Sequence, residues 1–301
     1  MSLLVVGSIA YDTIETPAAK RENILGGSVP FFSYAASFFC PVQMVGAVGE
    51  DWLPEYTEMF RKLGIDTTGI EIVPGGKTFR WVGKYHENMN DRDTLETHLN
   101  VLGTFRPKLP ENFRRSQFVF LANGAPSAGL SVLDQLQGAD LVVADTMNFW
   151  IDNTRPELDA LLKRIDGLII NDSEAKMLTG DTNVVTAARK VLTMGPKFVI
   201  VKKGEHGAMF VSEYEIYVMP AFPTENVVDP TGAGDSFAGG MMGYFASQQG
   251  NLDSETIKNA LAYGTIVASF GIEGFSLDRY KEINRADIDE RREAFRKMTS
   301  F

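Results

Sequence analysis

Short runs of consecutive apolar, largely β-branched residues recur along the chain, at 3–6, 44–48, 117–121, 141–144, 167–170 and 198–201. Runs without polar alternation suit strands covered on both faces, as in a parallel sheet flanked by helices. Between them lie amphipathic stretches, and the spacing predicts helices over 53–62, 156–164 and 183–194. The last third is mostly helical in pattern, over 233–248, 254–270 and 285–298. This alternation predicts an α/β fold: a doubly wound, mostly parallel sheet with helices on both sides.

One segment breaks the rhythm. Residues 78–102 carry two β-prone runs, 79–85 and 94–101, joined by a polar turn, and predict a hairpin outside the main sheet. Its apolar residues Phe79, Trp81, Tyr85, Leu95, Leu99 and Val101 need a surface to cover, which a lid over a cleft or a dimer contact would supply. The expected organisation is one α/β domain over 1–301 with this β lid inserted in it.

The chain has 301 residues, 44% of them hydrophobic, enough to bury a sizeable core. Acidic residues outnumber basic ones, 39 to 29, for a net charge of -10. Such a surface repels phosphate backbones, so no nucleic-acid partner is expected. Cys40 is the only cysteine, so no internal disulfide can form, and no Cys/His cluster has zinc spacing. With no signal-like N-terminus and no apolar stretch of membrane-spanning length, a cytoplasmic protein without membrane contact is expected.

Two short motifs mislead. Gly76-Lys77-Thr78 ends like a phosphate-binding P-loop, but the first glycine position of that motif holds Glu71. Gly232 and Gly234 begin like a dinucleotide fingerprint, but the third glycine position holds Phe237. A nicotinamide-dependent oxidoreductase is thereby disfavoured. His86, His98 and His206 stand apart from any nucleophile signature.

The chemistry concentrates in residues 227–247. Pro230 and Gly232 force a turn, and Phe237, Met241, Tyr244 and Phe245 then recur at helical spacing. A helix starting near Ala233 presents unpartnered N–H groups and the positive end of its dipole, and the glycines let an anion approach them: an anion hole formed by Gly232, Ala233 and Gly234. Asp235, on the same first turn, could simply cap the helix. Beside an anion hole, however, a carboxylate supplies what phosphoryl transfer needs, a base for the attacking hydroxyl next to donors for the transferring group.

The nine residues from Asp229 to Phe237, DPTGAGDSF, complete the signature D-x-T-G-A-G-D-x-F, and here the chain resembles the ribokinase-like (PfkB) carbohydrate kinases. Further family-like stretches follow in the expected order: GSIAYD at 7–12, LGG at 25–27, VGEDWLPE at 48–55, NDSEAKMLTG at 171–180 and VKKGEHG at 201–207. The resemblance implies Asp235 as catalytic base, Asp12 as acceptor of hydrogen bonds from substrate hydroxyls, and Gly26 and Gly27 as a close backbone approach to substrate. It implies that Asn171 and Glu174 position Mg²⁺ and the ATP phosphates through water, and that Gly204 and Gly207 shape the nucleotide loop with Lys202 or Lys203 near the phosphates. It also implies a monovalent cation, K⁺, held at Asp229 and Thr231.

The chain departs from the pattern at Phe31, where the family carries an asparagine close to the sugar. A ring there could stack on a base or an apolar substrate face, although the run SVPFFSYAASFF also reads as a buried helix. The expected activity is ATP- and Mg²⁺-dependent phosphorylation of a hydroxymethyl group on a small sugar, with a nucleoside as the alternative acceptor. A non-catalytic binding protein on the same fold is the alternative from another class. A homodimer formed through the lid is also expected.

Overall fold

The computed structural model describes residues 2–300. The first half of the chain forms β1 (Leu3–Val6), β2 (Ala10–Glu15), β3 (Lys20–Gly26), α1 (Ser28–Ser37), β4 (Val42–Gly49), α2 (Pro54–Lys62), β5 (Asp66–Val73), β6 (Phe79–Tyr85) and β7 (Arg92–His98). There follow β8 (Phe118–Leu121), α3 (Pro126–Leu133), β9 (Leu141–Asp145), α4 (Asn148–Asn153), α5 (Arg155–Leu162) and β10 (Gly167–Asn171). The rest comprises α6 (Asp172–Thr179), α7 (Val184–Leu192), β11 (Phe198–Lys202), β12 (Ala208–Ser212), β13 (Ile216–Met219), α8 (Ala233–Ser247), α9 (Ser254–Gly271) and α10 (Arg285–Thr299).

Nine strands form one sheet in the order β13-β12-β11-β10-β9-β8-β1-β4-β5. It is parallel from β11 to β5, and β12 and β13 add an antiparallel edge. The uniformly apolar runs divide between two cores. In β1, Leu3 and Val5 face the layer that includes α1, α8 and α9, while Leu4 and Val6 face the layer that includes α5, α6 and α7. Every side chain of such a strand is removed from water, each contributing about 1.5–3 kcal/mol, and period-two alternation disappears from the sequence for that reason.

A second sheet of four strands has the order β3-β2-β6-β7. The expected hairpin is therefore only half of the small sheet, because β2 and β3 complete it, with β2 parallel to β6. The second hairpin strand runs over Arg92–His98 rather than 94–101, and residues 100–104 coil into a 3-10 turn that buries Val101 in the core of the large sheet. All of β7 is exposed, and Leu95 and Leu99 remain open to solvent, so not every apolar residue of the segment covers a surface. Thr78, from the spurious P-loop, is a buried joint: its hydroxyl donates to Asp51 Oδ1 at 2.7 Å and accepts from the Gly49 N–H at 3.0 Å. Among the described residues no helix is long and apolar enough to cross a membrane.

Candidate active site

Strands β9, β10 and β11 lie side by side and end at Asp145, Asn171 and Lys202. The carboxyl ends of parallel strands are where open α/β sheets bind ligands, because side chains and following helix N-termini converge there. Lys202 Nζ reaches 3.4 Å from Asp145 Oδ2, and both side chains are largely withdrawn from solvent. Burial alone would lower the lysine's pKa, but the negative charges of Asp145, Glu174 and Asp235 outweigh it and hold Lys202 protonated.

Helix α8 starts opposite this cluster. Its N-cap, Gly232, has φ 75°, and no side chain caps the helix. A Cβ on Gly232 would lie 2.3 Å from the Phe31 ring, so glycine serves both the left-handed turn and the close approach. The N–H groups of Gly234 and Asp235 find no backbone carbonyl among the described residues, which leaves the anion hole open. Gly234 faces Lys202, whose Nζ lies 2.8 Å from where a Cβ would stand. Asp235, half-buried on the first turn, is pushed up to about 7, first by desolvation and then by the charge of Asp145, against the pull of Lys202 and Arg92. A carboxylate titrating near neutrality can both lose and take a proton at working pH.

Asp12 and Gly26 belong to the small sheet. Asp12, on β2, is 4% exposed, and burial together with the nearby Asp229 carboxylate pushes it up to about 8. Its carboxylate lies flat across Gly26, at the end of β3, and Gly27 caps α1. The hairpin closes over the same place. The Thr231 hydroxyl donates to Tyr85 Oη at 3.1 Å, and Arg92, opposite Tyr85 in the ladder, extends its positive field to Asp235 and Glu174. The hairpin turn also reaches the loop at 204–207, where Asn90 Nδ2 donates to Glu205 Oε1 at 3.0 Å.

Asn171 and Glu174 form a reciprocal capping box at the start of α6, with bonds of 2.7 and 2.8 Å. The cap fixes the Glu174 carboxyl facing the Asp145–Lys202 pair, and burial followed by the charge of Asp145 pushes it up to about 7. Mg²⁺ binds through one or two carboxylates while keeping several waters, and Glu174 with Asp145 meets that requirement. Asp229 is 1% exposed, its Oδ1 accepts the Thr231 N–H at 2.9 Å, and its Oδ2 has no partner. A buried, unpartnered carboxylate oxygen fits a monovalent cation.

A model of the pfkB family carbohydrate kinases matches residues 2–278. The chain belongs to that family. A cytidine kinase of Thermococcus kodakarensis is 29% identical over 248 residues, covering 80% of this chain and 87% of the relative. A deoxyribokinase of Salmonella typhi is 28% identical over 279 residues, covering 87% and 85%. Among solved structures, a candidate ribokinase II from Escherichia coli in complex with ATP and Mg²⁺ superposes with a TM-score of 0.78 at 19% identity, covering 97% of this chain and 99% of that one.

This pfkB kinase departs from the sequence expectations at two positions. Phe31 is 3% exposed, with its ring spent against Gly232. It packs against the Gly232 turn and offers substrate almost no surface, because α1 is buried on all sides from Ser28 to Ala36. Of the two lysines, Lys202 enters the cluster, whereas the Lys203 side chain makes no hydrogen bond or ion pair among the described residues. Sequence reasoning missed Asp145, Tyr85 and Arg92. Asp145 carried one available signal, as an acidic residue closing an apolar run in a parallel sheet.

Proposed function

We propose that this kinase transfers the γ-phosphoryl group of ATP to the hydroxymethyl oxygen of a pentose-type sugar, free or base-bearing. The names of two relatives, a cytidine kinase and a deoxyribokinase, both contain a pentose with a primary alcohol. The observation that carries the reading is Asp235, a carboxylate raised to about 7 on the same helical turn as the unpartnered N–H groups.

In this reading Asp12 holds acceptor hydroxyls and aims the primary one at Asp235. Asp235 takes that hydroxyl's proton as the oxygen attacks, while the Gly234 and Asp235 N–H groups and Lys202 bind the charge on the transferring phosphoryl group. Asn171, Glu174 and the loop at Gly204 and Gly207 flank the phosphates, and the small sheet, with residues 78–102, closes the cleft and excludes water. Fully ionised, Asp12, Asp145, Glu174, Asp229 and Asp235 would bring more negative charge to the cleft than Lys202 and Arg92 offset. Bound Mg²⁺ and K⁺ would neutralise this excess for a polyphosphate. The exposed edge strand β7 fits a second copy of the chain.

The test is ADP release with Mg-ATP across a panel of sugars and nucleosides, repeated with Asp235→Asn. The asparagine variant should lose about 10²- to 10⁴-fold in kcat while acceptor binding is nearly kept, since a base acts only in the transition state. Near-normal turnover would remove Asp235 from the mechanism.

A further inference from the structure

A small apolar cluster joins the two sheets next to the Gly232 turn. It holds Ile14, Tyr85 and Phe275, with Ile24, Trp81 and Val228 among the residues packed against them. Val228 immediately precedes Asp229, and Phe275 follows the end of α9, so the cluster lies against the segment that leads into the turn. Strand register brings Tyr85 there. Strand β6 pairs in parallel with β2, Asp12 opposite Trp81 and Ile14 opposite Gly83, and side chains two residues apart share a face. Tyr85, two residues beyond Gly83, therefore stands on the same face of the small sheet as Asp12 and Ile14. Strand β7 is exposed throughout, whereas Tyr85 is 4% exposed.

The ring is fixed by packing, and that aims the hydroxyl. Thr231 Oγ1 donates to Tyr85 Oη at 3.1 Å, and burial holds the phenol above its ordinary range, so it meets Thr231 as a neutral hydroxyl. Thr231 directly precedes Gly232, the N-cap of α8, and its own N–H is tied to Asp229 Oδ1 at 2.9 Å. Beyond the α8 ladder and the bonds within 229–236, the Tyr85 contact is the one hydrogen bond that residues 230–235 make among the described residues. No side chain caps α8. The turn that presents the Gly234 and Asp235 N–H groups thus has its outside polar tether on the small sheet, the element that also carries Asp12.

Building on the phosphotransfer reading above, we infer that Tyr85 is a positioning residue for the reaction: its hydroxyl holds Thr231, and through Thr231 it sets the Gly232–Asp235 turn that binds the transferring phosphoryl group and carries the base. Tyr85 acts through Thr231 and not on the reacting oxygens. The small sheet then does more than cover the cleft, since the placement of the transition-state donors depends on its being seated.

The test is ADP release at constant Mg²⁺ and K⁺ with the best acceptor of the panel, for wild type, Tyr85→Phe, Thr231→Val and the double variant, with rates expressed per folded chain from the amplitude of the thermal unfolding transition. Phenylalanine keeps the ring in its cluster and removes only the hydroxyl. A neutral hydrogen bond contributes a factor of about 2 to 12, so Tyr85→Phe should lower kcat about 3- to 10-fold, while KM for acceptor and for ATP stays within about twofold of wild type. In the Thr231→Val background, where the partner is already gone, Tyr85→Phe should cost less than about 1.5-fold further. A Tyr85→Phe enzyme within about 1.5-fold of wild type in kcat, or losses that multiply in full in the double variant, overturns the inference and leaves phosphotransfer standing. An acceptor KM raised about fivefold or more at unchanged kcat would make Tyr85 a ligand of the acceptor and overturn the positioning role. Wild-type protein that phosphorylates no acceptor of the panel overturns the phosphotransfer reading itself, and the inference with it.

Discussion

Gly26→Ala tests the acceptor site through a single methyl group. A Cβ at this position would lie 1.9 Å from Asp12 Oδ2 and 2.2 Å from its Cγ. Non-bonded contacts between such atoms settle near 3.5 Å, so the carboxylate must retreat by about 1.5 Å. Gly26 is not among the residues of positive φ, so alanine adds no backbone strain and the perturbation falls on Asp12. A displacement of about 1 Å in a positioning group can cost about 10²-fold, or ~2.7 kcal/mol of transition-state stabilisation. Steady-state ADP release with the best acceptor should show that loss in kcat/KM, whereas KM for ATP, bound by the large sheet, should stay within about twofold of wild type. The control is a double-mutant cycle. In an Asp12→Ala background the added methyl meets no carboxylate, and Gly26→Ala should cost less than about threefold. Full additivity of the two substitutions, or a Gly26→Ala enzyme within threefold of wild type, would refute the placement of Asp12.

Three further outcomes are expected. Because the base works ionised and burial raises Asp235 to about 7, kcat should rise with pH through about 7; Asp145→Asn, by removing the neighbouring negative charge, should move that midpoint down, and an unmoved or raised midpoint would contradict the electrostatic account. Replacing K⁺ by tetramethylammonium at equal ionic strength should slow turnover if the unpartnered Asp229 Oδ2 binds the ion, and identical rates would exclude it. Deleting 79–98 should weaken acceptor binding and raise ATP hydrolysis in the absence of acceptor, and a chain that sediments as a monomer would remove the dimer role of β7.

Six of the nine strands of the large sheet were legible, because strands buried on both faces write continuous apolar runs, and these strands replace the predicted runs with shifts of one or two residues; β5, β12 and β13, toward the two edges, were not read. The small sheet was legible only in part. Strand β7 reads RDTLETH and buries none of its residues, so no periodicity marks it, and the first half of β3 is equally exposed. The signature motif located the Gly232 turn and the helix start that carries Asp235, since a turn and the helix that follows are local in sequence. Asp145 and Lys202 meet across 57 positions of chain, and the choice between Lys202 and Lys203 depends on where β11 ends. Both follow from strand order rather than from any local pattern. Phe31 misled because a ring beside a glycine-built site can serve ligand or core equally, and only the packing against Gly232 decides.

Asp12 and Gly26 ride on the small sheet, while Asp145, Asn171, Glu174, Lys202 and the Gly232–Asp235 turn ride on the large sheet and its helices. In the proposed mechanism, the grip on the acceptor hydroxyls and the handling of phosphate are thus written on different parts of the scaffold. Mutations that retune β2 and β3 can drift toward a new alcohol without disturbing the machinery that handles phosphate, and a kinase built this way can change its diet while keeping its chemistry. A cytidine kinase and a deoxyribokinase, each more than a quarter identical to this chain, are the kind of divergence that such a partition permits. For engineering, the unit to exchange between relatives is the four-stranded sheet with its connecting turns, grafted as a cassette onto an unchanged phosphate-binding frame.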